Sequence, residues 1–173
     1  MNHDTYDNSY IAGILNSVKT IAMVGASPND VRPSYFVLKY LLAKGFSVFP
    51  INPGHAGKQI LGQTVYASLA DLPQPVDMVD IFRASSAVPG IVDQVLQLEP
   101  LPKVVWMQLG VRNDEAAARA EAVGIKVVMN RCPKIEYGKL SGEIGWTGVN
   151  SGVLSSKKPL MRQGFQSFGV RQK

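Results

Sequence analysis

Arg32 and Arg83 are the charged residues best suited to grip a phosphate, because a guanidinium makes paired, charge-assisted hydrogen bonds to phosphate oxygens. Each follows a run that reads as a buried strand, where an arginine also serves as a surface charge or a salt-bridge partner. Beside Arg32 the small-residue turn Gly25-Ala26-Ser27-Pro28 leads toward a helix start, where free N–H groups and the positive helix end favour an anion. Covalent chemistry finds less support. Ser27 and Cys132 have no histidine near them in sequence, so no nucleophile is visibly matched with a base, and pairing in space stays open. Cys132 is the only cysteine, which excludes an intramolecular disulfide. His3 and His55 cannot by themselves complete a zinc site with it.

A nicotinamide dinucleotide is a poor match to the same loops. Gly25 is followed by Ala, Ser, Pro, Asn and Asp where G-x-G-x-x-G would place further glycines. The second strand ends Pro50-Ile51-Asn52, without the acid that takes the ribose hydroxyls.

These residues need a scaffold that gathers strand ends. A short helix is predicted around Tyr10 to Val18, a strand at Thr20 to Gly25, and a helix from Pro33 that Gly45 stops. A strand at Phe46 to Ile51 completes a βαβ unit, whose crossover is nearly always right-handed. A short strand or turn is expected near Ile60 to Tyr66, and strands at Met78 to Phe82, Lys103 to Gln108 and Lys126 to Asn130. Helices are expected at Ser86 to Leu98 and Asn113 to Val123. This alternation implies a Rossmann-like α/β fold: an open parallel five-stranded sheet with helices on both faces, expected in strand order 3-2-1-4-5. Ligands of such sheets bind beyond the carboxyl ends of the strands. Gly25 to Pro28, Asn52-Pro53-Gly54-His55, Arg83 and Gln108-Leu109-Gly110 all follow strands, and so does Cys132, either as a buried inert thiol or as a neighbour of the ligand. Each loop would also carry glycine and proline for turn geometry alone.

The 173 residues suit one domain, assigned to 1–154, with a basic tail at 155–173. The net charge of +5 resides in that tail, which holds Lys157, Lys158, Arg162, Arg171 and Lys173 and no acid. A solvated terminus explains this better than nucleic-acid binding. No apolar run reaches the roughly 20 residues of a membrane span, and the N-terminus lacks a signal-peptide pattern, so a cytoplasmic protein is expected.

The ordered set VGAS, RPSY, INP, DIFR with a downstream VP, WMQLGV and NRCPKIE resembles the small CoA-binding family, and through it the N-terminal domain of the succinyl-CoA synthetase alpha subunit. The resemblance runs over about residues 10 to 155, including GEIGWTGVNSGVLSS. It implies coenzyme A held across the point where strand order reverses. Pyrophosphate would sit near Gly25, Ala26, Ser27 and Pro28, beside Arg32 and Ser34 of the RPSY motif. Asn52, Pro53 and His55 would border the nucleotide, Phe82, Arg83 and Pro89 would line the adenine and phosphate side, and Gln108, Leu109 and Gly110 would face the pantetheine arm. Phosphoryl transfer through a histidine, as in the synthetase, is not expected from His3 and His55. The expected function is non-catalytic binding of CoA or acyl-CoA, to sense, store or deliver it, possible protein partners included. The alternatives are a component of an acyl-CoA ligase or transferase that needs a partner subunit, and an NAD-binding regulator.

Overall fold

Apolar runs without a polar face must be covered on both sides, and this requirement organises the molecule. The computed structural model describes residues 1–142; the remainder of the expected domain to 154, the basic tail and the motif at the end of the resemblance lie outside the described residues. In chain order the elements are α1 (Asn8–Ser17), β1 (Thr20–Val24), α2 (Pro33–Ala43), β2 (Ser47–Ile51), β3 (Gln59–Ile60), β4 (Gln63–Thr64), β5 (Met78–Ile81), α3 (Val88–Val95), β6 (Val104–Met107), α4 (Asp114–Ala122), β7 (Lys126–Val128) and α5 (Pro133–Ser141). Five of the strands form one parallel sheet in the order β2-β1-β5-β6-β7.

Strand alternation divides the core between the two faces. Ile21, Met23, Met78, Val104 and Trp106 pack with Ile14, Leu38 and Tyr137 of α1, α2 and α5. Ala22, Val24, Val79, Ile81, Val105 and Met107 pack with Val92 of α3 and Ala116 and Ala120 of α4. The expected open five-stranded α/β sheet with helices on both faces is therefore present.

In detail the strand order differs from 3-2-1-4-5. Counting the five sheet strands along the chain, the order is 2-1-3-4-5. The third of them, β5, pairs with β1 on the side away from β2 and does not lie beyond β2, and the segment near Ile60 to Tyr66 folds back on itself. Leu61 and Gly62 both have positive φ, the backbone of a tight two-residue hairpin, so β3 and β4 pair antiparallel. Only Tyr66 then reaches Ile51, as a single parallel bridge. Helix α5 carries no periodic apolar signal, because Lys134, Glu136, Gly138 and Lys139 interrupt its apolar residues. Its start carries Cys132.

The outer edge of β7 would present unpaired backbone groups, and the N-terminal arm covers it. Tyr10 donates from its hydroxyl to the Val127 carbonyl at 3.0 Å, and the Tyr6 hydroxyl accepts from the Met129 N–H at 2.8 Å. The two rings stack with centroids 5.7 Å apart. Burial pushes the Tyr10 phenol up to about 12, which keeps it a proton donor across the ordinary pH range. Replacing Tyr10 with Phe should destabilise the fold by about 1 kcal/mol. Tyr6→Phe should cost about 1–3 kcal/mol, because it strands the Met129 N–H. Urea unfolding of both variants checks this, and unchanged midpoints would show that the hydroxyls do not secure the edge.

Candidate functional site

The carboxyl edge of the sheet is drawn together at Gly25, where β1 ends. Gly25 has φ +90°, and a Cβ added there would lie 2.5 Å from the Phe82 carbonyl oxygen and 3.0 Å from Arg83 Cδ. Only a residue without a side chain permits this approach of the β1 loop to the β5 loop. The same segment is tied to the end of β2: the amides of Gly25 and Ala26 donate to Ile51 O at 3.0 and 3.2 Å, and Asn52 Nδ2 donates to Ala26 O at 2.7 Å. Asn52 Oδ1 in turn accepts from Gly54 N at 2.9 Å. Ser27 N donates to Ser34 Oγ at 3.1 Å, and Asn29 N to Ser27 Oγ at 3.1 Å.

Consequently the first loop is not the open N–H cradle expected from its small residues. Its amides are mostly engaged inside the protein, and at the start of α2 those of Tyr35 and Phe36 return to Arg32 O. Anion binding here falls chiefly to side chains.

Two adjoining lobes open on this edge and share Gly25 and Arg83. One, of about 520 Å³, is lined by Gly25, Ser27, Arg32, Ser34, Phe82, Arg83, Gln108 and Leu109 among the expected residues, and by Cys132. The other, of about 600 Å³, adds Asn52 and Pro53, together with Gly54 and Gln94. Five expected residues line neither lobe. Ala26 is buried beneath the loop, Pro28 is exposed, and His55 is half-buried in the turn after Pro53. Pro89 opens α3 and gives its carbonyl to Arg119 Nη2 at 3.3 Å, while Gly110 N is held by Asn130 Oδ1 at 2.7 Å.

The electrostatic character of the lobes comes from what is unpaired. Five arginines lie within residues 1–142. Arg112 pairs with Asp4 and Asp114, Arg119 with Asp93, and Arg131 donates to the carbonyls of Asn130 and Asp4. Among the described residues Arg32 and Arg83 have no carboxylate partner, and no described Asp or Glu lines either lobe.

Beneath the lobe that Cys132 lines is a residue the sequence reading missed. Asp80, in the middle of β5, is fully buried, and Gln108 Nε2 donates to its two oxygens at 3.0 and 3.2 Å. Burial raises its pKa to about 7, against the opposing pull of Gln108. The signal was an acid inside the apolar run MVDIF. Cys132 is held close by: Trp106 Nε1 donates to Arg131 O at 2.8 Å, and Asn130 N to Val111 O at 3.1 Å. Burial pushes the Cys132 thiol up, the amides of Ile135 and Lys134 pull it down, and the charge of Asp80 adds to the rise.

The profile of the family described as CoA binding domain matches residues 19–138. Protein YneT of Bacillus subtilis is 33% identical over 127 residues, covering 73% of this chain and 91% of that protein. The ADP-forming acetate–CoA ligase I of Archaeoglobus fulgidus is 26% identical over 147 residues, which span 80% of this chain but only 21% of the ligase. Among solved structures, a hypothetical protein from Pyrococcus horikoshii OT3 is 36% identical with a TM-score of 0.74, covering 81% of this chain and 96% of that one. The protein ID.343 from Thermus thermophilus is 37% identical with a TM-score of 0.72, covering 76% and 97%.

Asp80 sets a measurable pH dependence. An unfolded aspartate ionises near pH 4 and the folded one at about 7, so between those values the unfolded state holds fewer protons. Rising pH therefore favours unfolding, on the order of 1 kcal/mol per pH unit from this group. Chemical denaturation at several pH values should show that Asp80→Asn removes this part of the slope and leaves the variant the more stable at pH 8. Parallel profiles for the two proteins would mean that Asp80 is not strained by burial.

Proposed function

The chain belongs to the CoA-binding domain family, and on that premise we propose that the two-lobed cleft holds coenzyme A or an acyl-CoA, binding it without transforming it. One observation supports the proposal: Arg32 and Arg83 line the cleft and, among the described residues, no carboxylate pairs with them and no acid stands on its walls. Two unpaired guanidiniums suit a ligand with several phosphate groups, and the pyrophosphate and 3'-phosphate of CoA supply them. The Gly25 approach seats the loop after β1 on the loop after β5, which brings Arg83 to the border of both lobes.

Binding without turnover accords with the side chains present. Neither histidine lines the cleft: His3 Nδ1 lies 2.7 Å from the Tyr6 hydroxyl in the N-terminal arm, and His55 lies in the turn after Asn52. Sensing, storing or delivering CoA in the cytoplasm is the role this suggests. A second reading, a component of a larger acyl-CoA ligase, draws on the acetate–CoA ligase similarity. It requires a partner subunit, and acyl-CoA turnover on adding such a subunit would favour it. An NAD-binding regulator is opposed by Asn52 standing where a ribose-binding acid would be.

Calorimetric titration distinguishes these ligands. CoA should bind more tightly than dephospho-CoA, and dephospho-CoA more tightly than NAD, because only CoA presents a 3'-phosphate to the arginines. A charge-assisted hydrogen bond contributes about 1.5–3 kcal/mol, so Arg32→Ala or Arg83→Ala should weaken CoA binding roughly ten- to a hundredfold where that side chain grips a phosphate. Equal affinities for CoA and NAD, or two silent variants, would overturn the proposal.

A further inference from the structure

Gln108 forms part of the cleft wall, and its partner Asp80 lies behind it in β5, fully buried. Around this pair no charge compensates the carboxylate. Register sets Met23 of β1 and Trp106 of β6 beside Asp80, and α2 brings Ser34 and Val37 to the lobe, none of them charged. At the start of α5 the Cys132 thiol feels the charge of Asp80, with Lys134 acting on the same thiol, and Arg32 and Arg83 stand on the lobe. Among the described residues no cation pairs with Asp80, and Gln108 is the one side chain that hydrogen-bonds it.

A carboxamide donates at one end and accepts at the other, so the state of its partner decides which end turns inward. Ionised, Asp80 only accepts. Gln108 then gives it Nε2, as at the observed 3.0 and 3.2 Å, and Oε1 is left to the lobe. Protonated, Asp80 has an O–H that is costly to bury without an acceptor, so Oε1 turns inward and Nε2 is left to the lobe. Burial brings both states within reach near neutral pH, since it pushes the carboxyl up to about 7.

Resting on the CoA reading above, we propose that Asp80 is a positioning residue that sets, through Gln108, whether this wall offers the ligand an acceptor or a donor, and that CoA binds the form with Asp80 ionised. The rest of the lobe decides which form is needed. Arg32, Arg83, Ser27 and Ser34 supply donors, whereas among the described residues lining it Gln108 alone has a side-chain carbonyl. An amide N–H on the pantetheine arm therefore finds its side-chain acceptor in Gln108 Oε1, and it finds it only while Nε2 faces Asp80. When CoA binds a molecule whose Asp80 is protonated, the carboxyl proton passes to solvent and the carboxamide turns. Binding is thereby coupled to the release of a proton.

Dephospho-CoA is the probe of choice, because it lacks the phosphate monoester that titrates near neutral pH, so protons released on binding come from the protein. Calorimetry of the whole chain in two buffers of different ionisation enthalpy counts them. The wild type should release a fraction of a proton per ligand near pH 7 and little at pH 8, and its affinity should rise roughly two- to sixfold from pH 6 to pH 8. Asp80→Asn should abolish both the release and the rise. Infrared difference spectra give a second readout that needs no variant. Asp80 is the one buried carboxyl among the described residues, so a protonated carboxyl band at pH 6 reports on it, and dephospho-CoA should diminish that band. A wild type that binds without releasing a proton or losing the band, or an Asp80→Asn variant that still releases one, overturns the coupling and leaves the CoA reading intact. Failure of both CoA and dephospho-CoA to bind defeats that reading, and the coupling with it.

Discussion

The contact on which the site depends is backbone against backbone: the Phe82 carbonyl sits where a side chain at position 25 would have to be. Because Gly25 yields that space, the loop after β1 lies directly on the loop after β5, and Arg83 comes to border both lobes. Ile51 O and Asn52 then fasten the same loop to the end of β2. Three strand ends are locked into one surface by a few hydrogen bonds, with little freedom left for the loops. A rigid surface of this kind lowers the ordering cost of binding, which counts for more than additional contacts would.

The cleft combines two opposite electrostatic conditions. At its rim, Arg32 and Arg83 have no carboxylate partner among the described residues, while the other described arginines are held by Asp side chains or carbonyls. At its base, Asp80 is a carboxyl in an apolar setting with Gln108 as its hydrogen-bond donor. Neither arrangement serves stability, since unpaired surface cations add little and a buried carboxyl is costly. Departures of this kind from the general rules concentrate at functional sites, and here both lie on one end of one sheet.

Much of the scaffold was legible because its signals are local. β-branched apolar runs ending in glycine, and helices stopped by Gly45 and Gly124, follow from the steric preferences of single residues. The strand order needed more. Which side of β1 receives β5 is tied to the close approach of Gly25 to Phe82, and a contact between residues so distant in the chain carries no sequence signature. Helix α5 was hidden because its burial comes from Tyr137 and Leu140 packing on α1 and α2, without a continuous apolar stripe.

By itself the sequence determined the parallel α/β class, the placing of candidate residues after strands, and two arginines fit for phosphate. These depend on residue type, period and spacing, which a linear chain displays. Tertiary structure alone decided which of them meet. It turned the amides of Gly25 and Ala26 inward, left Pro89, His55 and Gly110 off the cleft walls, and set Asp80 behind Gln108 next to Cys132. Burial, partner geometry and the sharing of a wall are relations between residues distant in the chain. Their energies arise only when the sheet brings those residues together in a low-dielectric interior.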